Sequence, residues 1–370
     1  MRALVPAALS LALACGADVD QLGAVASVDP RSRCYPVIEF GDPRLEAQIR
    51  ERIDLPAGPL SVLEVEALWW WESSLDSSEQ WDIDGADLYG IRDLEGIQCL
   101  PFTGISCADC PVRDLGPLAG MPALEVLRIS GARALSLDPL AELMELREVT
   151  LIGGSLIDAD ALLGEDAVFP WLRHLNLTGN LISDSVGTPK LPALERLYLG
   201  DNALRAAPDV SRMPSLTHLK LDDNPVRDLG PLAGHAKLRE LSVEDAAITS
   251  IEPLVDVPLE TLRLAGNAIT DAGTVPTSVR ELDLRRNRLR ALTWPTLPAL
   301  WRLDLDDNPL VSLEGLRAPA LEELRASGCA LTSTAGVEVV EQPEFIDLHA
   351  NQITRPTGIR GDSGLDIDLR

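Results

Sequence analysis

The sequence predicts an α/β repeat solenoid: an arc with a parallel β-sheet on its concave face and short 3-10 or turn segments on its convex side. Three observations predict it. The first is a phrase, Leu-x-x-Leu-x-Leu-x-x-Asn, that returns about every 22 residues. It reads Leu172, Leu175, Leu177, Asn180, then Leu194, Leu197, Leu199, Asn202, then Leu216, Leu219, Leu221, Asn224, with further full copies ending on Asn267, Asn287 and Asn308. The second is the Leu-x-Leu alternation inside each copy, which has the period of a strand and sends both leucines to one face. The third is the Pro and Gly content of the connections, as in Val112-Arg113-Asp114-Leu115-Gly116-Pro117-Leu118 and Val226-Arg227-Asp228-Leu229-Gly230-Pro231-Leu232. Such connections form tight turns or 3-10 pieces rather than long helices.

Degenerate copies fill the gaps, so that units start at 102, 124, 146, 172, 194, 216, 238, 259, 279, 300, 321 and 343. No unit of this kind buries its apolar face alone, so the twelve stack into one elongated body over 102–355 rather than two globular domains. The Asn stands where the chain leaves the strand, placed to satisfy turn backbone groups inside the stack. Ala132, Gly154, Ala246, Cys110 and Cys329 take its place in five units. Cys110 and Cys329 therefore read as small buried hydrophobes rather than reactive thiols. The unit from Leu146 to Leu172 is longer, and its Ala159–Phe169 stretch is expected to form a helix.

The strand phrase together with Asp-Leu-x-Pro-Leu resembles the internalin-like class of bacterial leucine-rich repeat proteins, over roughly residues 40–355. The segment 40–68 is similar to the helical N-terminal cap of that class. Asp42 suits an N-cap, Pro43 the first helical turn, and Leu45, Ile49 and Ile53 form one apolar stripe. Residues 69–101 depart from the class. Trp69-Trp70-Trp71 leads into an acidic, Ser-rich stretch before Ile91-Arg92-Asp93-Leu94 restores the phrase, which reads as a degenerate first repeat with an insertion. Cap packing and an exposed aromatic patch both remain open for the three Trp.

The N-terminus has the order of an export signal: Met1-Arg2, then an uncharged apolar run from Ala3 to Ala14, too short for a convincing membrane span. Ala12-Leu13-Ala14-Cys15 resembles a bacterial lipobox, which implies a signal peptide over 1–14, lipidation of Cys15, an outer-membrane location and a tether over 15–39. Ala12-x-Ala14 also fits ordinary signal peptidase, and plain secretion is the alternative. Six cysteines less Cys15 leave an odd number. Cys34 lies just before the cap and Cys99 just before the first clear repeat, so a disulfide between them is expected to staple the two together. Cys107 and Cys110 form a C-x-x-C, but with no second pair of ligands at metal spacing, and their repeat phase reads as structure rather than zinc or redox chemistry.

With 58 acidic and 32 basic residues the net charge is −26. That disfavours nucleic acid and anionic lipid as partners and favours a soluble monomer, attached to a membrane only through a lipid on Cys15. Neither catalytic motif nor cofactor or metal signature is present. Asp222-Asp223 and Asp306-Asp307 read as solvated turn acids before calcium ligands, and Arg360-Gly361-Asp362 in the tail, 356–370, reads as a chance adhesion tripeptide.

The residues flanking the middle leucine of each strand point outward from the concave sheet. On three adjacent units these are His174, Asn176, Arg196, Tyr198, His218 and Lys220, a basic and aromatic patch on a very acidic chain, bordered by Asp222, Asp223, Glu244 and Asp245. His174 and His218, two strands or about 10 Å apart, are too distant to share a metal. Tyr and Arg are enriched in binding hot spots. The expectation is a non-enzymatic cell-envelope protein that binds a protein or glycan here. A mixed solvated face on a passive scaffold, or an intracellular regulator of an enzyme, are the competing readings. With only nineteen residues following Asn351, an appended catalytic domain is not expected.

Overall fold

The structure is a computed structural model that describes residues 34, 37–52, 54, 55, 57–63, 65, 88–133, 136–183, 187–273, 275–336, 344–354 and 366–368. Residues 1–33, Trp69–Trp71, the acidic insertion and the Arg360-Gly361-Asp362 tripeptide lie outside them. Among the described residues, thirteen strands form one parallel sheet in chain order. They are β1 (Gly104–Cys107), β2 (Val126–Ser130), β3 (Glu148–Ile152), β4 (His174–Asn176), β5 (Arg196–Tyr198), β6 (His218–Lys220), β7 (Glu240–Ser242), β8 (Thr261–Arg263), β9 (Glu281–Asp283), β10 (Arg302–Asp304), β11 (Glu323–Arg325), β12 (Phe345–Asp347) and β13 (Asp366–Asp368).

The first twelve are the strands of the twelve repeat units, and they pair in repeat register: Ile105 against Leu127, Val149 against Leu175, Leu197 against Leu219, and so on to Leu324 against Ile346. Each of these middle residues is at most 1 % exposed. A one-residue slip on any strand would turn its apolar residue to solvent, and this pins the register. β13 continues the sheet within 356–370, a unit the expected repeats did not include: Ile367 and Leu369 keep the second and third apolar positions of the phrase, but Gly364 stands at the first.

The corner after each strand explains the rest of the phrase. The asparagines face inward and bridge neighbouring coils. Asn308 donates to Leu305 O of its own coil at 3.0 Å and to Leu284 O of the preceding one at 2.8 Å, and accepts from Leu289 N–H at 3.0 Å. Asn224, Asn267 and Asn287 make the same three contacts one coil apart. Where Cys329 replaces Asn, its thiol points at Leu305 O at 3.4 Å, a weaker substitute, and burial pushes that thiol up to about 11. The residue before each Asn position has a left-handed backbone, from Asp109 (φ 49°) through Asp223 (φ 55°) to Asp307 (φ 57°) and Gly328 (φ 62°). Gly and Asp tolerate that region, and this accounts for the acids that follow so many strands. Asp222 is a turn acceptor as well, taking hydrogen bonds from Ser242 Oγ–H (2.6 Å) and Glu244 N–H (2.8 Å).

The convex side is built as expected from 3-10 turns such as Gly116–Gly120, Gly230–Leu232 and Glu252–Leu254. Asp114 and Asp228 each accept the N–H of the Gly two residues on, at 2.7 Å, and this starts those turns. The helix expected over Ala159–Phe169 is a single turn, α2 (Asp160–Leu163). Gly164 turns extended behind it, and Val168 then pairs with Lys190 in a parallel bridge, so the chain is committed to the next coil before a second turn can form.

At the N-terminal end, α1 (Pro43–Arg52) buries Leu45 and Ile49 against the stack. Asp42 caps it by accepting Arg44 N–H at 2.9 Å, and its second oxygen accepts Arg92 N–H at 2.8 Å, tying the helix to the first repeat phrase. The Cys34–Cys99 disulfide is present and spans 65 residues. A second disulfide joins Cys107 to Cys110, which corrects the reading of Cys110 as an unbonded small residue. The left-handed turn at Asp109 folds the end of β1 back on itself and brings the two sulfurs together.

Asn308 is 1 % exposed, and truncating it leaves Leu289 N–H without its acceptor and takes one donor each from Leu284 O and Leu305 O, which keep Asn287 Nδ2–H and the Cys329 thiol. Asn308→Ala is expected to lower stability by about 1–3 kcal/mol in urea unfolding, where an exposed Asn would cost little. A change below about 0.5 kcal/mol would show that the asparagine bridges do not hold the coils together.

Candidate functional site

The six residues singled out by phase lie on β4, β5 and β6, and pairing puts them side by side: His174 beside Arg196 beside His218, and Asn176 beside Tyr198 beside Lys220. All six are partly or fully exposed on the concave face while the leucines between them are buried. The His174 and Tyr198 rings meet edge to face at 5.2 Å, and Lys220 Nζ lies 5.2 Å from the Tyr198 centroid. Asn176 turns back to accept Thr178 N–H and serves the strand end rather than the open face.

The ion pairs around the patch set it apart. On the neighbouring strands the concave arginines are matched to glutamates: Arg128 to Glu148 (2.7 Å), Arg263 to Glu240 (2.8 Å), Arg302 to Glu323 (3.5 Å) and Arg325 to Glu323 (2.8 Å). Arg196 and Lys220 have no carboxylate within 4.0 Å among the described residues. His174 stands 4.0 Å from Glu148, which is already taken by Arg128, and its Nε2 is buried without a hydrogen-bond partner. Burial holds the His174 imidazole below the ordinary histidine range, against the opposing pull of Glu148. It therefore presents a neutral ring at neutral pH. His218 is held by Thr217 Oγ (2.8 Å) and lies 3.8 Å from Glu240. The bordering acids Glu244 and Asp245 face away into pairs with Arg285 (3.3 Å) and Arg286 (3.0 Å).

A second concave feature escaped the phase reading. Between β8, β9 and β10 lies a cavity of about 280 Å³ lined by Arg263, Asp283, Arg285, Arg302 and Asp304 among others. Asp283 and Asp304 sit directly side by side in register. Burial, with Asp304 and Glu244 adding repulsion against the Arg285 N–H and guanidinium, pushes the Asp283 carboxyl up to about 6. Burial raises Asp304 as well. No set of three His, Cys, Asp or Glu side chains able to hold a metal ion occurs among the described residues.

Comparison with known proteins places this architecture. The family described as "Leucine Rich repeat" matches at residues 170–185 and 257–274. The chain is similar to an internalin from Listeria monocytogenes, at 19% identity and a TM-score of 0.64, covering 94% of this chain and 95% of that one. The protein has the fold of an internalin-like leucine-rich repeat protein. It is also similar to a leucine-rich repeat protein of Leptospira interrogans (19% identity, TM-score 0.54, covering 72% of this chain and 77% of that one). A chain of the LRIM1/APL1C complex matches at 19% identity and a TM-score of 0.59, over 75% of this chain and 53% of that one. No curated protein matches in sequence. No helix among the described residues is long and apolar enough to cross a membrane.

The raised Asp283 gives a signed prediction. Its folded-state carboxyl titrates near 6, above the ordinary 3.8, so the folded state binds this proton more tightly. The resulting penalty is absent below about pH 4, grows as pH rises towards 6 and is full above it. Asp283→Asn is therefore expected to stabilise the protein by about 1–3 kcal/mol at pH 7.5 relative to wild type, with the difference vanishing near pH 4. Urea unfolding of both proteins from pH 4 to 8 checks this; a pH-independent difference would rule out burial of a charged Asp283.

Proposed function

We propose that this protein is a non-enzymatic, exported binding module. It captures a polypeptide partner on the concave face of β4–β6, with Tyr198 as the apolar anchor, Arg196 and Lys220 as the charges that meet acidic groups, and His174 and His218 framing them. The observation that carries this reading is the pair of unmatched cations. A chain with a net charge of −26 has carboxylates to spare, and its other concave arginines are matched to them, yet among the described residues Arg196 and Lys220 stand without one. A passive scaffold gives no reason for that exception. Tyr and Arg, which stand side by side here, are among the residue types enriched in interface hot spots. The similar LRIM1/APL1C structure is itself a complex.

Export rests on the order of residues 1–15 and on two disulfides, which persist in oxidising compartments. We assign Cys15 as the lipid-bearing residue of an outer-membrane lipoprotein. Palmitate labelling of cells expressing wild type and Cys15→Ala tests it: label on wild type alone supports the anchor, and label on neither leaves a secreted protein.

The binding site is tested by crosslinking capture from envelope and secreted fractions, with wild type and the Tyr198→Ala, Lys220→Glu double variant as baits. The variant is expected to bind the captured partner at least 30-fold more weakly, about the cost of losing one hot spot. Both side chains lie on the open face, so its thermal midpoint should stay within about 3 °C of wild type. A partner held equally by both baits would place the site elsewhere on the protein.

A further inference from the structure

We propose that the cavity between β8, β9 and β10 is a subsite for one cationic side chain, an arginine guanidinium before a lysine ammonium, presented by the polypeptide bound to the concave face. The inference rests on the polypeptide-binding reading above and adds the chemistry of a second contact point.

Asp304 carries the argument. It is only 8 % exposed and lines the cavity. Its Oδ1 accepts Asp306 N–H at 3.1 Å, whereas its Oδ2 accepts no hydrogen bond and no cation lies within 4.0 Å among the described residues. The arginines nearby are already engaged: Arg302 and Arg325 with Glu323, Arg263 with Glu240, Arg285 with Glu244 and Asp283. A carboxylate largely removed from water without a cation in contact is costly; Arg285, Arg325 and Arg302 act on Asp304 only from farther off, while Asp283, beside it in register, has its own contact with Arg285 at 3.3 Å. A cation entering the cavity would give Asp304 the direct contact that Asp283 already has in Arg285.

The shape of the need favours guanidinium. It is planar, weakly hydrated and able to give parallel hydrogen bonds to neighbouring carboxylates, whereas a small divalent ion demands six or more oxygens. The subsite also sets a spacing. Lys220 on β6 and Asp304 on β10 are four strands apart, about 19 Å at the usual interval, or about six residues of extended chain. The partner segment is therefore expected to carry an acidic residue and an arginine about six positions apart, running across the strands.

The test needs no partner. Mature protein is titrated with N-acetyl-arginine methylamide while amide and carboxyl resonances of β9 and β10 are followed by NMR, with the neutral isostere N-acetyl-citrulline methylamide as control. The expected result is a saturable shift with the arginine compound alone, weakened at least tenfold in Asp304→Asn and unchanged in Lys220→Glu. Equal shifts with citrulline, equal affinity in Asp304→Asn, or no shift at tens of millimolar ligand would each overturn the subsite. The arginine-against-citrulline comparison on wild type decides the matter even if Asp304→Asn folds poorly. Arginine binding without any captured partner would sink the polypeptide-binding reading and keep the subsite; a captured partner without arginine binding would do the reverse.

Discussion

The structure depends on what happens to backbone groups at the corner where each strand ends. A coil that turns into the interior buries carbonyl and amide groups that water can no longer reach, and orphaned groups of this kind cost more than most side-chain contacts return. The inward asparagine resolves this with one side chain: its amide donates to the corner carbonyls of two consecutive coils and its oxygen accepts an N–H from the loop of the earlier one. Each coil is thus finished by the next, and the coils hold one another in register as well as in contact. The leucine core supplies most of the burial and excludes a one-residue slip, but a two-residue slip would keep the same face buried, and the asparagine bridges exclude that one too.

The same corner shapes the surface. A left-handed residue must precede each asparagine position, and Asp fills that place at Asp109, Asp201, Asp223, Asp245 and Asp307. Part of the strong negative charge is therefore a by-product of turn geometry. Against that background the concave face is sorted with some care. Glutamates and arginines on the concave strands pair and cancel, leaving two departures from neutrality among the described residues: cations without a carboxylate on β5 and β6, and the Asp304 carboxylate without a cation in contact on β10.

Much of this was legible in the sequence, and the reason is the period. A strict Leu-x-x-Leu-x-Leu recurrence specifies strand, face and register together, so twelve strands and the neighbours of Tyr198 followed from counting. The Cys34–Cys99 pairing followed from position relative to the cap. The left-handed corner was visible too, in Gly or Asp immediately before most asparagines, but composition drew the eye to charge rather than conformation. Three features were not legible. The Cys107–Cys110 bond depends on how sharply Asp109 turns. β13 lies where the phrase keeps Ile367 and Leu369 but has Gly364 in place of its first leucine. The β8–β10 cavity depends on which glutamate each arginine selects across strands, a choice among several equivalent neighbours that spacing cannot decide.

Two opposite departures from neutrality on one rigid sheet do more than attract. A single basic patch on an acidic protein would accept many acidic surfaces, with affinity that falls as salt rises. A cationic site and an anionic site at fixed separation accept only a partner whose charges come in the matching order and spacing, because the reversed order sets like charges against each other on a surface too stiff to adjust. Discrimination then comes from the strand interval itself, which the asparagine bridges maintain. In this protein the interaction that closes the backbone at each corner also sets the ruler by which a charged chain would be read.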